Sequence, residues 1–182
     1  MSRRREFEIA FVGLKPGVHE FVYTIDDRFF EAFQQQDFKS CRAQVKLQLD
    51  KKSSFMILKF EVGGQLETTC DRCNSNLPLD LWDEFIISVK MVDEPELMNK
   101  QEEDPDVYFI SRGESHLDLS NWIYEFINLS IPMHKTCGLE KMDGPYCNKA
   151  AMEMLKKLES EEIPKDKENP IWKGLEKFKD LD

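Results

Sequence analysis

Several things are scarce in this chain, and each scarcity removes a class of function. No uninterrupted apolar run in the 182 residues exceeds four, whereas a helix that spans a bilayer needs roughly 20. A secretory leader is not expected either. Arg3, Arg4 and Arg5 would suit its basic start, but Glu6 and Glu8 interrupt what would have to be its apolar stretch, so the chain reads as retained in the cytoplasm. Positive charge is in deficit: 25 Lys and Arg stand against 35 Asp and Glu, a formal net charge of -10. Such a chain as a whole repels a phosphate backbone, which disfavours direct, nonspecific nucleic-acid binding and favours a basic protein as partner. The basic exceptions are local, at Arg3 to Arg5 and at Lys173, Lys177 and Lys179. Only five cysteines are present, an odd and unevenly spaced set that does not fit a disulfide-stapled secreted scaffold. Also absent are a Gly-rich phosphate loop, a His-Glu-x-x-His helix and a nucleophile elbow. No catalytic machinery is expected.

What is there is a globular interior with 13 Phe. The first half reads as strands. Phe7 to Val12 and Glu20 to Ile25 are β-type runs, expected to pair as a hairpin across Lys15-Pro16-Gly17. Asp26 suits the N-cap of a short helix carrying Phe29, Phe30 and Phe33. Val45, Leu47 and Leu49 alternate with Gln44, Lys46 and Gln48, the period of a strand with one face in the core. Phe55 to Val62 should return beside it, and Gly63-Gly64 reads as a two-residue hairpin loop. Leu79 to Met91 is one long alternating strand, residues 93–106 an acidic mobile loop, and Val107 to Ile110 one more strand. Asp118 caps a helix whose Leu119, Trp122, Ile123, Phe126 and Ile127 share a face. Asn148 caps another, with Ala151, Met154, Leu155 and Leu158 aligned, and Asn169-Pro170 opens a short terminal helix with Ile171, Leu175 and Phe178 on one side. The expected fold class is α+β: a mostly antiparallel sheet in the N-terminal two-thirds with C-terminal helices packed on it. Residues 1–160 make one domain, and 161–182 a charged linker with a docking helix.

The chemistry rests on thiols. Cys70-Asp71-Arg72-Cys73 puts two sulfurs two residues apart at a strand end, the knuckle by which one segment offers two ligands to a tetrahedral metal. Cys137 and Cys147, in a turn-rich loop between two helices, would supply the other half of a split zinc clamp. Cys147 directly precedes the cap Asn148, so the positive end of the helix should favour its thiolate. His134 competes as fourth ligand, although its use would leave one late cysteine idle. His19 and His116 have no partner nearby in sequence, and Cys41 reads as a small buried side chain. Arg72 either offsets the charge of a tetrathiolate or is simply exposed. The same Cys70 and Cys73 could instead serve a thiol-disulfide oxidoreductase, but the motif follows one strand and precedes another where such enzymes place it at a helix start.

The order of these features resembles the YceD family of large ribosomal RNA subunit accumulation proteins, most of all its Bacteroidetes-type members. The resemblance is carried by Leu14-Lys15-Pro16-Gly17, Phe29-Phe30, Cys70-Asp71-Arg72-Cys73, Asp118-Leu119 leading to Glu125 through Pro132, Cys147-Asn148, and Asn169-Pro170-Ile171-Trp172 with Leu175. Asn74 departs from the leucine of many relatives. At the position of Cys137 the family often has histidine, a metal-compatible exchange. Some branches lack the cysteines, which implies a stabilising role for metal. The resemblance implies a non-catalytic role in ribosome biogenesis, promoting accumulation or maturation of large-subunit ribosomal RNA, with a ribosomal protein or large-subunit assembly factor as partner and any contact with ribosomal RNA indirect. A plain zinc-stabilised interaction domain remains the alternative beside the oxidoreductase.

Overall fold

The computed structural model describes residues 6–102, 104–137 and 147–160. The terminal helix expected after Asn169 lies outside them. The main sheet has five strands in the order β2-β3-β4-β5-β6, formed by β2 (Gly17–Asp26), β3 (Lys39–Lys51), β4 (Phe55–Thr69), β5 (Asn76–Val92) and β6 (Val107–Ser111). The first four are antiparallel neighbours, and β6 runs parallel to β5. Strict alternation builds the core: Cys41, Ala43, Val45, Leu47 and Leu49 of β3 and Met56, Leu58, Phe60 and Val62 of β4 all point inward and are buried. Burying each large aliphatic or aromatic side chain contributes about 1.5–3 kcal/mol, which suffices to set the register of the long central strands.

A parallel return needs a crossover of a dozen or more residues. Residues 93–106, expected to be a loop, supply it and contain a helix, α2 (Pro95–Gln101), with Pro95 in its first turn. The Asn99 side chain pairs with both backbone groups of Phe109: its Nδ2 donates to the carbonyl at 2.8 Å and its Oδ1 accepts from the N–H at 2.8 Å. One amide thus stands in for a neighbouring strand at the edge of β6.

Two expected hairpins are not formed. Phe7 to Val12 does not pair with β2; only β1 (Glu8–Ile9) is a strand, and it pairs with β7 (Leu117–Asp118). Phe11–Gly13 forms a 3-10 turn, whose carbonyls at Phe11 and Leu14 accept from Lys51 Nζ at 2.8 Å each. Gly63-Gly64 makes no turn either, because β4 continues through both. Gly64 serves a close approach of β3: a Cβ on it would lie 2.4 Å from the Arg42 oxygen and 2.5 Å from Ala43 Cα. Opposite it the β3–β4 register shifts between Lys39 and Arg42, and Ser40 takes a φ of 55°. The Asp27 carboxylate satisfies this bulge, accepting from Ser40 N at 3.0 Å and Cys41 N at 2.7 Å.

Two of the three expected caps, Asp26 and Asn148, are in place. Asp26 Oδ1 accepts from Arg28 N at 3.0 Å at the start of α1, which is only Asp27–Phe30. Asp118 Oδ1 accepts from Ser120 N at 2.9 Å just before α3 (Ser120–Leu129), but the cap position falls one residue later than expected, at Leu119, where no side chain bonds the helix start. Leu119, Ile123, Phe126 and Ile127 face the sheet and are buried. Phe126 stacks on Phe85 with centroids 4.2 Å apart and meets Phe60 edge-on at 5.0 Å. Asn148 Oδ1 accepts from Ala151 N at 3.2 Å at the start of α4 (Lys149–Ser160). The apolar face expected to bury this helix does so only in part: Ala151 packs against the cysteines, joined by Met152 from outside that face, and Leu155 is half-buried, while Met154 and Leu158 are 65% and 57% exposed.

Candidate metal centre

Between β4 and β5 the chain turns through residues 70–75. Cys70 N donates to Ser75 O at 2.9 Å and Asn74 N to Cys70 O at 2.8 Å, which closes the loop around the first sulfur. The turn requires a left-handed residue, and Asn74 takes it with a φ of 56°. Asn tolerates that conformation better than a leucine would, so the departure at this position has a local cause.

The second segment arrives after α3. Asp71 and Lys135 clasp it reciprocally: Asp71 N donates to Lys135 O at 2.7 Å, and Lys135 N donates to Asp71 Oδ2 at 2.7 Å. Lys135 Nζ also pairs with Asp37 at 2.6 Å, with the lysine side chain only 13% exposed. This brace delivers Cys137 two residues later. The signal for it in the sequence was Asp71 lying inside the knuckle, but its partner is 64 positions away and could not be read.

The sulfurs of Cys70, Cys73 and Cys137 lie within 4.8 Å of one another. Cys73 Sγ and Cys137 Sγ are 3.9 Å apart, and Cys137 N donates to Cys70 Sγ at 3.4 Å. A disulfide would need about 2.05 Å. Four sulfurs at about 2.3 Å from a tetrahedral zinc stand about 3.8 Å apart, and the Cys73–Cys137 separation matches. The three close cysteines could therefore hold a metal ion. All three are buried, with Leu77 beside them.

The fourth expected ligand, Cys147, is half-buried against this cluster together with Ala151 and Met152. Its thiol is a hydrogen-bonding neighbour of Cys137, but it is not among the three sulfurs that lie mutually within 4.8 Å. The rival His134 is exposed and outside the group. His19 bonds the Lys15 carbonyl at 2.8 Å and His116 bonds Ser115 at 2.8 Å, both at exposed sites. Arg72 is exposed. Cys41 is buried inside β3, apart from the cluster.

The electrostatics of the cluster are uneven. Backbone N–H groups of Asn148 and Ser75 point at Cys73 and hold its thiol down from 9.0 to about 6. The opening of α4 thus acts on Cys73, whereas position along the chain had pointed to Cys147. Burial and the neighbouring thiols push Cys137 up to about 12. Several thiolates cannot share so small a space unless a cation offsets them, which is the chemistry of a metal-binding set. Cys41 is pushed up to about 11 by burial and then by the charges of Asp27 and Asp26, as befits an inert core thiol.

Compared with known proteins, the chain matches over residues 58–179 the family model described as Large ribosomal RNA subunit accumulation protein YceD. All four cysteines of the expected clamp fall inside that span. No curated protein and no solved structure was found to match.

Proposed function

The chain belongs to the YceD family, and from that membership we propose that it is a non-catalytic accessory protein of ribosome biogenesis that promotes the accumulation of large-subunit ribosomal RNA. The match over residues 58–179 to a family described by that role carries the reading. The partner we propose is a basic ribosomal protein or large-subunit assembly factor. A formal net charge of -10 attracts such a protein, speeds the encounter, and disfavours direct contact with a phosphate backbone. The place of action is then the cytoplasm; among the described residues no helix is long and apolar enough to cross a membrane.

We assign zinc to the cysteine cluster, with Cys70, Cys73, Cys137 and Cys147 as ligands. The metal supplies a cross-link: it ties the β4–β5 turn to the segment after α3 and to the start of α4. The alternative, a thiol oxidoreductase at Cys70 and Cys73, asks for an accessible sulfur. Both side chains are only 2% exposed, which favours the structural role. Residues 1–160 we take as one unit with 161–182 appended to it.

The test is a deletion strain in which the ratio of large- to small-subunit ribosomal RNA is measured. The ratio should fall and be restored by the intact gene; an unchanged ratio would overturn the reading. Metal analysis of protein purified without chelator should find one zinc per chain.

A further inference from the structure

The five-stranded sheet has two faces of different kind. One is covered by α3 and by the segments carrying Phe7 and Phe29. Among the described residues none of these elements lies on the other, which presents Val18, Val22, Ile57, Trp82 and Ile86, each at least 37% exposed. Trp82 is the extreme case. Its side chain stands in the middle of β5, where that strand pairs with β4 alone because β6 reaches only Ser88 to Val92, and is 79% exposed.

Register explains why the indole stands clear. Trp82 pairs across the ladder with Gly63, which has no side chain to lean on it. Beyond Gly63 stands Gln44 of β3. Along β5 the neighbours on the same face are Asp80 and Glu84, and diagonally across β4 they are Glu61 and Gln65. The nearest charged residues around the indole are therefore three carboxylates; the cations Arg42 and Lys46 stand one strand further off, on β3 opposite Gln65 and Glu61. Two of the carboxylates already draw in an ammonium from further along the sheet: Lys59 Nζ lies 3.0 Å from Glu84 and 3.4 Å from Glu61. Asp80 accepts from Gln65 Nε2 at 2.7 Å.

We propose that this open sheet face is the docking surface for the basic protein partner, and that Trp82 with Asp80, Glu61 and Glu84 receives a Lys or Arg side chain of an extended segment lying across β4 and β5. An indole attracts a cation through its π face, and carboxylates around it reinforce the attraction and orient it. Ile86, four residues along the same face, supplies an apolar contact for a neighbouring side chain of that segment. The excess of acid excludes a phosphate backbone from the same place. Because Trp82 is held within the long β4–β5 ladder, little ordering is needed on binding. This assignment rests on the reading of a basic partner and adds to it the surface and the anchoring residue.

The test uses the full chain and two labelled probes: a short peptide rich in Lys and Arg with interspersed Leu, and a short single-stranded RNA. The peptide should bind in a salt-dependent manner, and Trp82→Ala should weaken it about tenfold. Glu84→Gln should weaken it less, with the difference vanishing at high salt. Both side chains are exposed, so Tm should not move, and Glu84→Gln tests the surface even if Trp82→Ala fails to fold. Equal peptide affinity in wild type and both variants overturns the proposal, as does RNA that binds more tightly than the peptide and depends on Trp82. A deletion strain with a normal ribosomal RNA ratio would instead remove the ribosomal role and leave the peptide result standing, so the two failures are distinguishable.

Discussion

Helices α3 and α4 are similar in length and both amphipathic, yet they are held by different forces. In α3 Ile123 and Ile127, with Leu119 at the helix start, are fully buried and Phe126 is 5% exposed. In α4 the aligned Met154 and Leu158 remain more than half exposed, and the helix touches the rest of the described chain through Ala151 and Met152 beside the cysteines. One helix is fastened by apolar area, the other by its position next to sulfur. An amphipathic stripe therefore shows that a helix has a face to bury, not how much of it will be covered.

The comparison is broken most directly in the core. Phe126→Ala removes the ring stacked on Phe85 and edge-on to Phe60 and should cost about 3–5 kcal/mol, lowering the midpoint of global denaturant unfolding. A loss confined to α3, with the sheet unaffected, would show that the helix is an appendage. Next is the sulfur side. Chelation, or Cys73→Ser, should reduce amide protection in residues 151–155 by about tenfold or more while leaving β3 and β4 protected, as hydrogen exchange would report. If the sheet core loses protection to the same extent, the two regions are one cooperative unit.

A smaller effect is expected at the helix start. Asp118→Ala removes the acceptor for Ser120 N and should cost about 1 kcal/mol, visible as a shift in Tm. A last effect, confined to alkaline pH and absent at neutrality, separates the core thiol from the cluster thiols. Cys41 has its folded value raised from 9.0 to about 11, so it favours the protonated, folded state. Below about 9 both states hold the proton and stability is unaffected. Between about 9 and 11 the unfolded chain releases a proton that the folded chain keeps, so stability should fall as pH rises. Cys41→Ala should flatten that alkaline decline relative to its own stability at pH 7; an unchanged slope would mean that Cys41 makes no contribution to it.

Local signals were readable where neighbours in sequence are neighbours in space. The alternation from Gln44 to Leu49, the caps Asp26 and Asn148, and the apolar face of α3 all stand in the structure as the residues suggested, while the start of α3 slips by one residue from Asp118 to Leu119. The pair Cys70 and Cys73 was legible for the same reason. Gly63-Gly64 was misread because two glycines permit either a tight turn or a close backbone approach, and only the bulge at Ser40 on the facing strand decides between them. The acidic stretch 93–106 looked unstructured because its helix is short and its ordering contact, Asn99 to Phe109, is a side chain replacing a strand.

The sequence by itself determined the strand periods, the capped helix starts, the acidic balance and the supply of thiols, since each depends on residue type and on spacings of a few positions. Tertiary structure alone decided that β1 joins β7, that β6 lies parallel to β5, that Asp71 and Lys135 carry Cys137 to the knuckle, and that Trp82 stands bare opposite a glycine. Those outcomes depend on closing long loops, whose entropic cost is repaid only when many distant contacts form together, and no short stretch of chain records that sum.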